Sequence, residues 1–194
     1  MARLKRTESQ AQTRERLLAA ARELFRRDGY AATSVDRIAE AAGYSKGAVY
    51  SNFDSKEAIF LLVLEAQGQG SLDTLLAAID RAQDAAAIAD LLAAWADAMS
   101  ASGTWSLTIL EHARLAGAGA ASLDRQKDIL RGHWRQLGDR LLARLPGLGP
   151  GLGTDAETLG ALLHEIAYAP AMTFAGRPTA GDLMRLALRG LMRD

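Results

Sequence analysis

Cysteine is absent from the 194-residue chain, which excludes a disulfide framework, a thiol nucleophile, a thiolate zinc site and an iron–sulfur cluster. Long apolar runs are missing too, since the longest, Ala58 to Leu64, falls far short of the roughly 20 residues that span a bilayer. β-Branched residues are few and no strand-like alternation stands out, while alanine, leucine and arginine are plentiful, a mixture with a helical preference. Net charge is lacking as well. The 23 basic side chains balance 23 acidic ones, which at first weighs against a nucleic-acid partner. The balance hides an asymmetry: residues 1–60 hold 11 basic and 8 acidic side chains, and residues 61–194 hold 12 and 15. The stretch Met1 to Gln10 is charged and polar with no apolar core behind it, unlike a secretory signal, so a soluble, cytoplasmic chain with no membrane partner is expected. Such a length accommodates one domain or two small ones and buries a core without staples.

Glycine, proline and capping residues divide the sequence into about nine helices, an all-α fold. Leu17, Leu18, Ala21, Leu24 and Phe25 recur at helical spacing within Gln10 to Arg27, closed by Asp28-Gly29. Thr33 or Ser34 caps a short helix to Ala42, ended by Gly43, and Ser45 caps a second to about Ser51. Ser55 opens a longer helix that Gly68-Gln69-Gly70 interrupts or softens, with a separate helix expected from Ser71 to Asp80. Helices follow over Asp84 to Ser100, Thr104 to Leu115 and Ser122 to Leu145, then a loop through Pro146 to Gly153. Thr154-Asp155 caps a helix toward Phe174 that Pro170 should kink or end, and Thr179 with Asp182 forms a capping box for the last helix.

The two short helices around Gly43 carry the functional signal. A tight glycine turn, the small Ala39 at a close crossing, and Val35, Ile38, Val49 and Phe53 facing inward fit a DNA-binding helix-turn-helix. On these features alone a purely structural helical hairpin fits equally well. Gly43-Tyr44-Ser45-Lys46-Gly47 also satisfies the G-x-S-x-G pattern of a hydrolase nucleophile elbow, but that elbow needs a strand before the serine and Val35 to Ala42 reads as helix. Ser45 is expected to be an N-cap, and the chain is not expected to be an enzyme.

Ala20-Ala21-Arg22-Glu23-Leu24-Phe25, Gly29-Tyr30, Thr33, Ile38-Ala39, Ala42-Gly43-Tyr44-Ser45-Lys46-Gly47-Ala48-Val49-Tyr50, Phe53 and Ser55-Lys56-Glu57 together resemble the N-terminal domain of TetR-family transcriptional regulators, over residues about 13–60. The resemblance implies a three-helix DNA-binding domain, residues 1–54, and a helical ligand-binding and dimerisation domain, residues 55–194. It implies a ligand-responsive regulator, read as a repressor, that binds a pseudo-palindromic double-stranded operator as a homodimer and is released by a small-molecule effector. Ser45, Lys46, Gly47 and Ala48 would face the bases, with Ser51 a further candidate. Tyr50, Asn52 and Lys56 would reach phosphates, Thr33 and Ser34 are placed to do the same, and Tyr50 reads alternatively as a core aromatic. Arg3, Lys5 and Arg6 form either a DNA-following arm or a solvated terminus.

The resemblance also implies a ligand cavity in the larger part. Trp95, Trp105, His112, Trp134, Tyr168 and Met172 are its candidate lining, and plain core packing is the competing reading of each. His112, His133 and His164 lack the spacing of a metal set on one helix, so neither a metal nor a cofactor is expected. The last two helices carry Leu159, Leu162, Leu163, Ile166 and Ala167, then Leu183, Leu186, Ala187 and Leu191, more apolar surface than a terminal hairpin needs. The family pairs these helices across a two-fold axis, so the homodimer is expected there. The helix from Ser55 would carry the effector signal to the DNA-binding domain.

Overall fold

Side-chain caps and glycine stops decide where the helices begin and end. In the computed structural model the backbone is described for residues 2–101, 104–148, 154–173 and 177–192, and side chains for 10–101, 105–148, 154–168 and 177–192. Among these residues the chain is all helical: α1 Ala2–Ala32, α2 Val35–Ala42, α3 Lys46–Tyr50, α4 Lys56–Arg81, α5 Ala85–Ala101, α6 Thr104–Ala116, α7 Ala121–Arg144, a 3₁₀ turn Pro146–Leu148, α8 Ala156–Thr173 and α9 Ala180–Leu191. Ser45 Oγ accepts the Ala48 amide at 3.2 Å, Asp84 the Ala87 amide at 2.8 Å and Asp155 the Thr158 amide at 2.7 Å. Each bond satisfies a donor that the first helical turn leaves open. Thr179 and Asp182 form the expected reciprocal capping box.

Two expectations are corrected. The first helix is longer than Gln10 to Arg27, although Gly29 does break its regular geometry, with φ of 81°. α4 runs unbroken through Gly68 and Gly70, joining what were expected to be two helices. Gly68 is there for packing: a Cβ at that position would run into the His133 ring. α8 runs toward Phe174 as expected, reaching Thr173, so that of the two alternatives Pro170 does not end it. Residues 149–153 of the expected glycine-rich loop lie outside the described residues.

Two compact units are present, Met1–Ala66 with Leu107–Gln126, and Gln67–Ser106 with Lys127–Asp194. The first is built on Leu17, Ala21, Phe25, Ile38, Val49, Phe53, Ile59 and Phe60, all buried. Phe25, Tyr30 and Phe60 form an aromatic cluster with centroid separations of 5.0 to 5.9 Å. The second holds a continuous core that includes Leu75, Ile79, Leu92, Leu141, Leu163, Met184 and Leu188. Within it α7 and α8 approach to backbone contact, since a Cβ on Gly138 would strike the Ala156 carbonyl and one on Gly160 the Trp134 carbonyl.

No helix among the described residues is long and apolar enough to cross a membrane.

Candidate functional site

In the first unit, α2 and α3 form a tight two-helix turn. Ser34 Oγ accepts the Arg37 amide and caps α2, while Gly43, with φ of 75°, terminates it through Gly43 N–H to Glu40 O and Tyr44 N–H to Ala39 O at 3.1 and 2.9 Å. Ile38, Ala39, Val49 and Phe53 are buried as the spacing predicts. The other face of α3 is open: Ser45, Lys46, Gly47, Tyr50 and Ser51 are exposed, and Ala48 and Asn52 are half-buried. Tyr50 is 53% exposed, which answers against the core reading of that ring.

These side chains are already engaged with one another. Lys46 Nζ lies 3.0 Å from Asp36 Oδ2, an exposed pair whose carboxylate raises the lysine pKa. Ser51 Oγ donates to Ala48 O at 2.9 Å, and Asn52 Nδ2 donates to the same carbonyl at 2.8 Å. Arg14 supports the end of the turn, donating to Asn52 O at 2.5 Å with its guanidinium 4.3 Å from the Phe53 ring centroid. Ser45 follows a helix, with its hydroxyl used as an N-cap, so the strand that a nucleophile elbow requires is replaced by α2.

Thr33 departs from its expected place. It is buried, and its hydroxyl donates inward to Gly29 O at 2.7 Å, leaving Ser34 as the exposed residue at the start of α2. Lys56 is only half available. Its ammonium donates to Tyr30 O at 2.9 Å and Thr33 O at 3.1 Å, and burial lowers its pKa. Arg3, Lys5 and Arg6 fall on the helical backbone of α1, and their side chains lie outside the described residues.

Sequence reasoning missed what fixes this turn. Glu111 Oε2 on α6 accepts the Ala31 amide at 3.0 Å, and the same carboxylate occupies the space where a Cβ on Gly29 would sit. Its neighbour His112 is fully buried between Tyr30 and Phe60, at centroid distances of 4.9 and 4.6 Å. Its Nδ1 lies 2.6 Å from Gln126 Oε1, and burial lowers its pKa despite that bond. His112 therefore belongs to the first unit's core, correcting its assignment to a ligand cavity. The acidic residue three before Arg114 gave no signal that distinguishes it from a solvated helix face.

A cavity of about 50 Å³ lies within the second unit. It brings together Trp95, Trp134 and Tyr168 of the expected lining and adds His133 and His164, with Leu72, Leu75 and Leu137 as apolar walls. Trp105 does not line it, and the Met172 side chain lies outside the described residues. Trp134 and Tyr168 flank the His164 ring, at centroid distances of 5.8 and 4.3 Å. Trp95 Nε1, Trp134 Nε1 and His164 Nδ1 are buried without a hydrogen-bond partner among the described residues. Each such group costs about 1 to 3 kcal/mol until water or a ligand satisfies it. Burial first, then His133, pushes His164 down to about 4, so the ring is neutral near pH 7. Among the described residues no group of three or more His, Asp or Glu could hold a metal ion.

Comparison with known proteins finds likeness chiefly in the N-terminal segment. Residues 17–63 match the family model for bacterial regulatory proteins, tetR family. The HTH-type transcriptional regulator YerO of Bacillus subtilis is 44% identical over 52 residues, 27% of this chain and 18% of that protein. AcrR of Shigella flexneri, also an HTH-type transcriptional regulator, is 40% identical over 65 residues, 34% of this chain and 30% of that protein. The matched stretch thus spans less than a third of either relative. The crystal structure of the transcriptional regulator FadR from Bacillus subtilis in complex with stearoyl-CoA superposes with a TM-score of 0.66 at 19% identity, covering 92% of this chain and 97% of that one. At that identity the likeness concerns the fold. The match to the tetR family of bacterial regulatory proteins thus covers residues 17–63, the segment that contains the helix-turn-helix.

Proposed function

We propose that the chain is a ligand-responsive transcriptional repressor, acting in the cytoplasm on a pseudo-palindromic operator as a homodimer. The observation that carries this reading is the exposed row Ser45, Lys46, Gly47, Tyr50 and Ser51 on α3, held on a buried Ile38–Val49–Phe53 support within the family-matched segment. The second helix of such a unit presents its first residues to base edges in the major groove. Lys46 donates to guanine O6 or N7 after leaving Asp36, and the small Gly47 and Ala48 allow close backbone approach. Ser34, Tyr50, Asn52 and the third donor of Lys56 take phosphates, the remaining two Lys56 donors being held by backbone carbonyls.

Dimerisation through α8 and α9 is supported by Leu162 and Leu186. These are 42% and 66% exposed in the single chain, on helices whose opposite faces bury Leu163, Met184 and Leu188. A two-fold pair places two recognition helices on half-sites about one helical turn or a multiple apart. The cavity in the second unit is the effector site in this reading, and α4 contributes residues to both units. An effector weakens operator binding only by its differential affinity for the two states, typically about 1 to 3 kcal/mol, and DNA weakens effector binding equally.

Fluorescence anisotropy with the DNA upstream of the chain's own coding sequence, over a salt series, is the direct test. The expected result is saturable binding to a duplex that holds an inverted repeat, with an affinity that falls steeply with salt, as phosphate contacts release counterions. Affinity that does not depend on salt, or a monomer on the operator by sedimentation, overturns the reading.

A further inference from the structure

The cavity among Trp95, Trp134, His164 and Tyr168 combines three properties that narrow what can fill it. Its walls are aromatic rings and leucines, so a flat apolar body matches them. Among its described lining residues there is no Lys, Arg, Asp or Glu, and His164 is neutral near pH 7. A carboxylate or phosphate placed there would be buried without a counter-charge, which is strongly unfavourable. Finally, the lining carries two indole donors and one imidazole nitrogen with no partners.

We infer that this cavity takes a single-ring, uncharged aromatic ligand bearing a hydroxyl, held by the indole N–H groups of Trp95 and Trp134 and the imidazole of His164. The inference rests on the effector-site reading of the cavity and adds the ligand class to it. A hydroxyl accepts from an indole N–H through its lone pairs. It also donates to an unprotonated Nδ1 or accepts from a protonated one, so it suits either tautomer of the neutral ring. A hydrocarbon satisfies none of the three atoms, and a bare carbonyl serves only the donors. Size sets an upper limit. About 50 Å³ is room for a few waters, far too little for a long acyl chain and less than the roughly 150 Å³ that takes up benzene, so a single ring enters only as the walls give way.

The test is ¹⁵N–¹H spectroscopy on the labelled 194-residue chain, whose three indole cross-peaks are assigned with W95F, W105F and W134F. Phenol, toluene, benzoate and stearoyl-CoA are the probes. Phenol is expected to move the Trp95 and Trp134 cross-peaks in a saturable way. Toluene and benzoate should bind at least about tenfold more weakly, the loss of one or two hydrogen bonds or the burial of a bare charge. His164→Phe keeps a ring in place and is expected to weaken phenol about tenfold while leaving toluene unchanged. Trp134→Phe, which removes the indole donor together with one of its fused rings, lowers phenol binding relative to toluene if the histidine variant does not fold. Equal binding of phenol and toluene overturns the role of the three polar atoms. Benzoate or stearoyl-CoA moving the two cross-peaks at lower concentration than phenol overturns the ligand class and leaves the cavity a ligand site. If no probe of any class moves them, the cavity holds only water and the effector-site reading falls with the inference.

Discussion

The ammonium of Lys56, the first residue of α4, donates to the Tyr30 main-chain carbonyl at 2.9 Å and lies 3.9 Å from the centroid of the same tyrosine's ring. One cation thus closes the end of α1 from above and the side. Replacing it by methionine leaves the Tyr30 and Thr33 carbonyls short of a charged donor. Lys56→Met is expected to cost about 2 kcal/mol in urea unfolding, besides weakening operator binding. Unchanged stability with weaker DNA binding would make Lys56 a phosphate contact alone.

Thr33 offers a contrast at the same turn. Its hydroxyl is buried on Gly29 O, so Thr33→Val should destabilise by about 1 kcal/mol and leave the salt slope of DNA binding untouched. A flatter slope would mean that the hydroxyl turns outward to a phosphate.

Lys46 behaves in the opposite sense. Its pair with Asp36 is exposed on both sides, and such pairs contribute about 0 to 1 kcal/mol. Lys46→Ala is therefore expected to leave the melting temperature nearly unchanged and to relax base preference at one operator position, read by selection from a randomised half-site. Loss of affinity spread evenly over all sequences would place Lys46 on a phosphate.

Glycines within helices separate by what faces them. Gly160→Ala meets the Trp134 carbonyl, where no side chain can give way, and should cost about 1 to 3 kcal/mol by forcing α7 and α8 apart. Gly132→Ala, with open space around it on α7, should stabilise by up to about 1 kcal/mol. Denaturant melts of the two variants that shift in the same direction would contradict the close approach.

His164 gives the second unit a sensitivity to acid. Burial lowers its pKa from 6.5 to about 4, so between those values the unfolded chain binds a proton that the folded chain refuses. Stability is fully present above about pH 6.5 and declines as pH falls toward 4, by up to about 3 kcal/mol. His164→Phe should flatten that part of the stability profile, measured by denaturant melts from pH 7 to pH 4. A steep decline that survives the substitution assigns the acid sensitivity elsewhere.

Helix existence and the exposed row on α3 were legible because their causes are local. A serine beside free amides, a glycine at positive φ and apolar residues at i, i+3 and i+4 leave marks within a few positions, as at Ser34, Gly43 and Ser45. Longer-range causes left no such mark. Gly68 reads as a helix breaker until the His133 ring is seen against it, and Thr33 and Ser34 are equivalent until one is turned inward. His112 shares a helical face with Trp105, yet only tertiary packing decides that it meets Phe60 and Tyr30. Half of the expected cavity lining was found by the bulk and polarity of its side chains. His133 and His164 were noticed only as absent metal ligands, although the same scarcity of partners is what makes His164 stand out.

The first unit is discontinuous in the chain, taking Leu107–Gln126 as well as Met1–Ala66. A chimera that grafts only the first 66 residues onto another protein therefore severs Glu111 from Ala31 and His112 from Phe60 and Tyr30. The donor's α6 must travel with the first 66 residues, so the interchangeable piece of this protein has two segments, and on the proposed reading operator specificity is transplanted intact only by moving both.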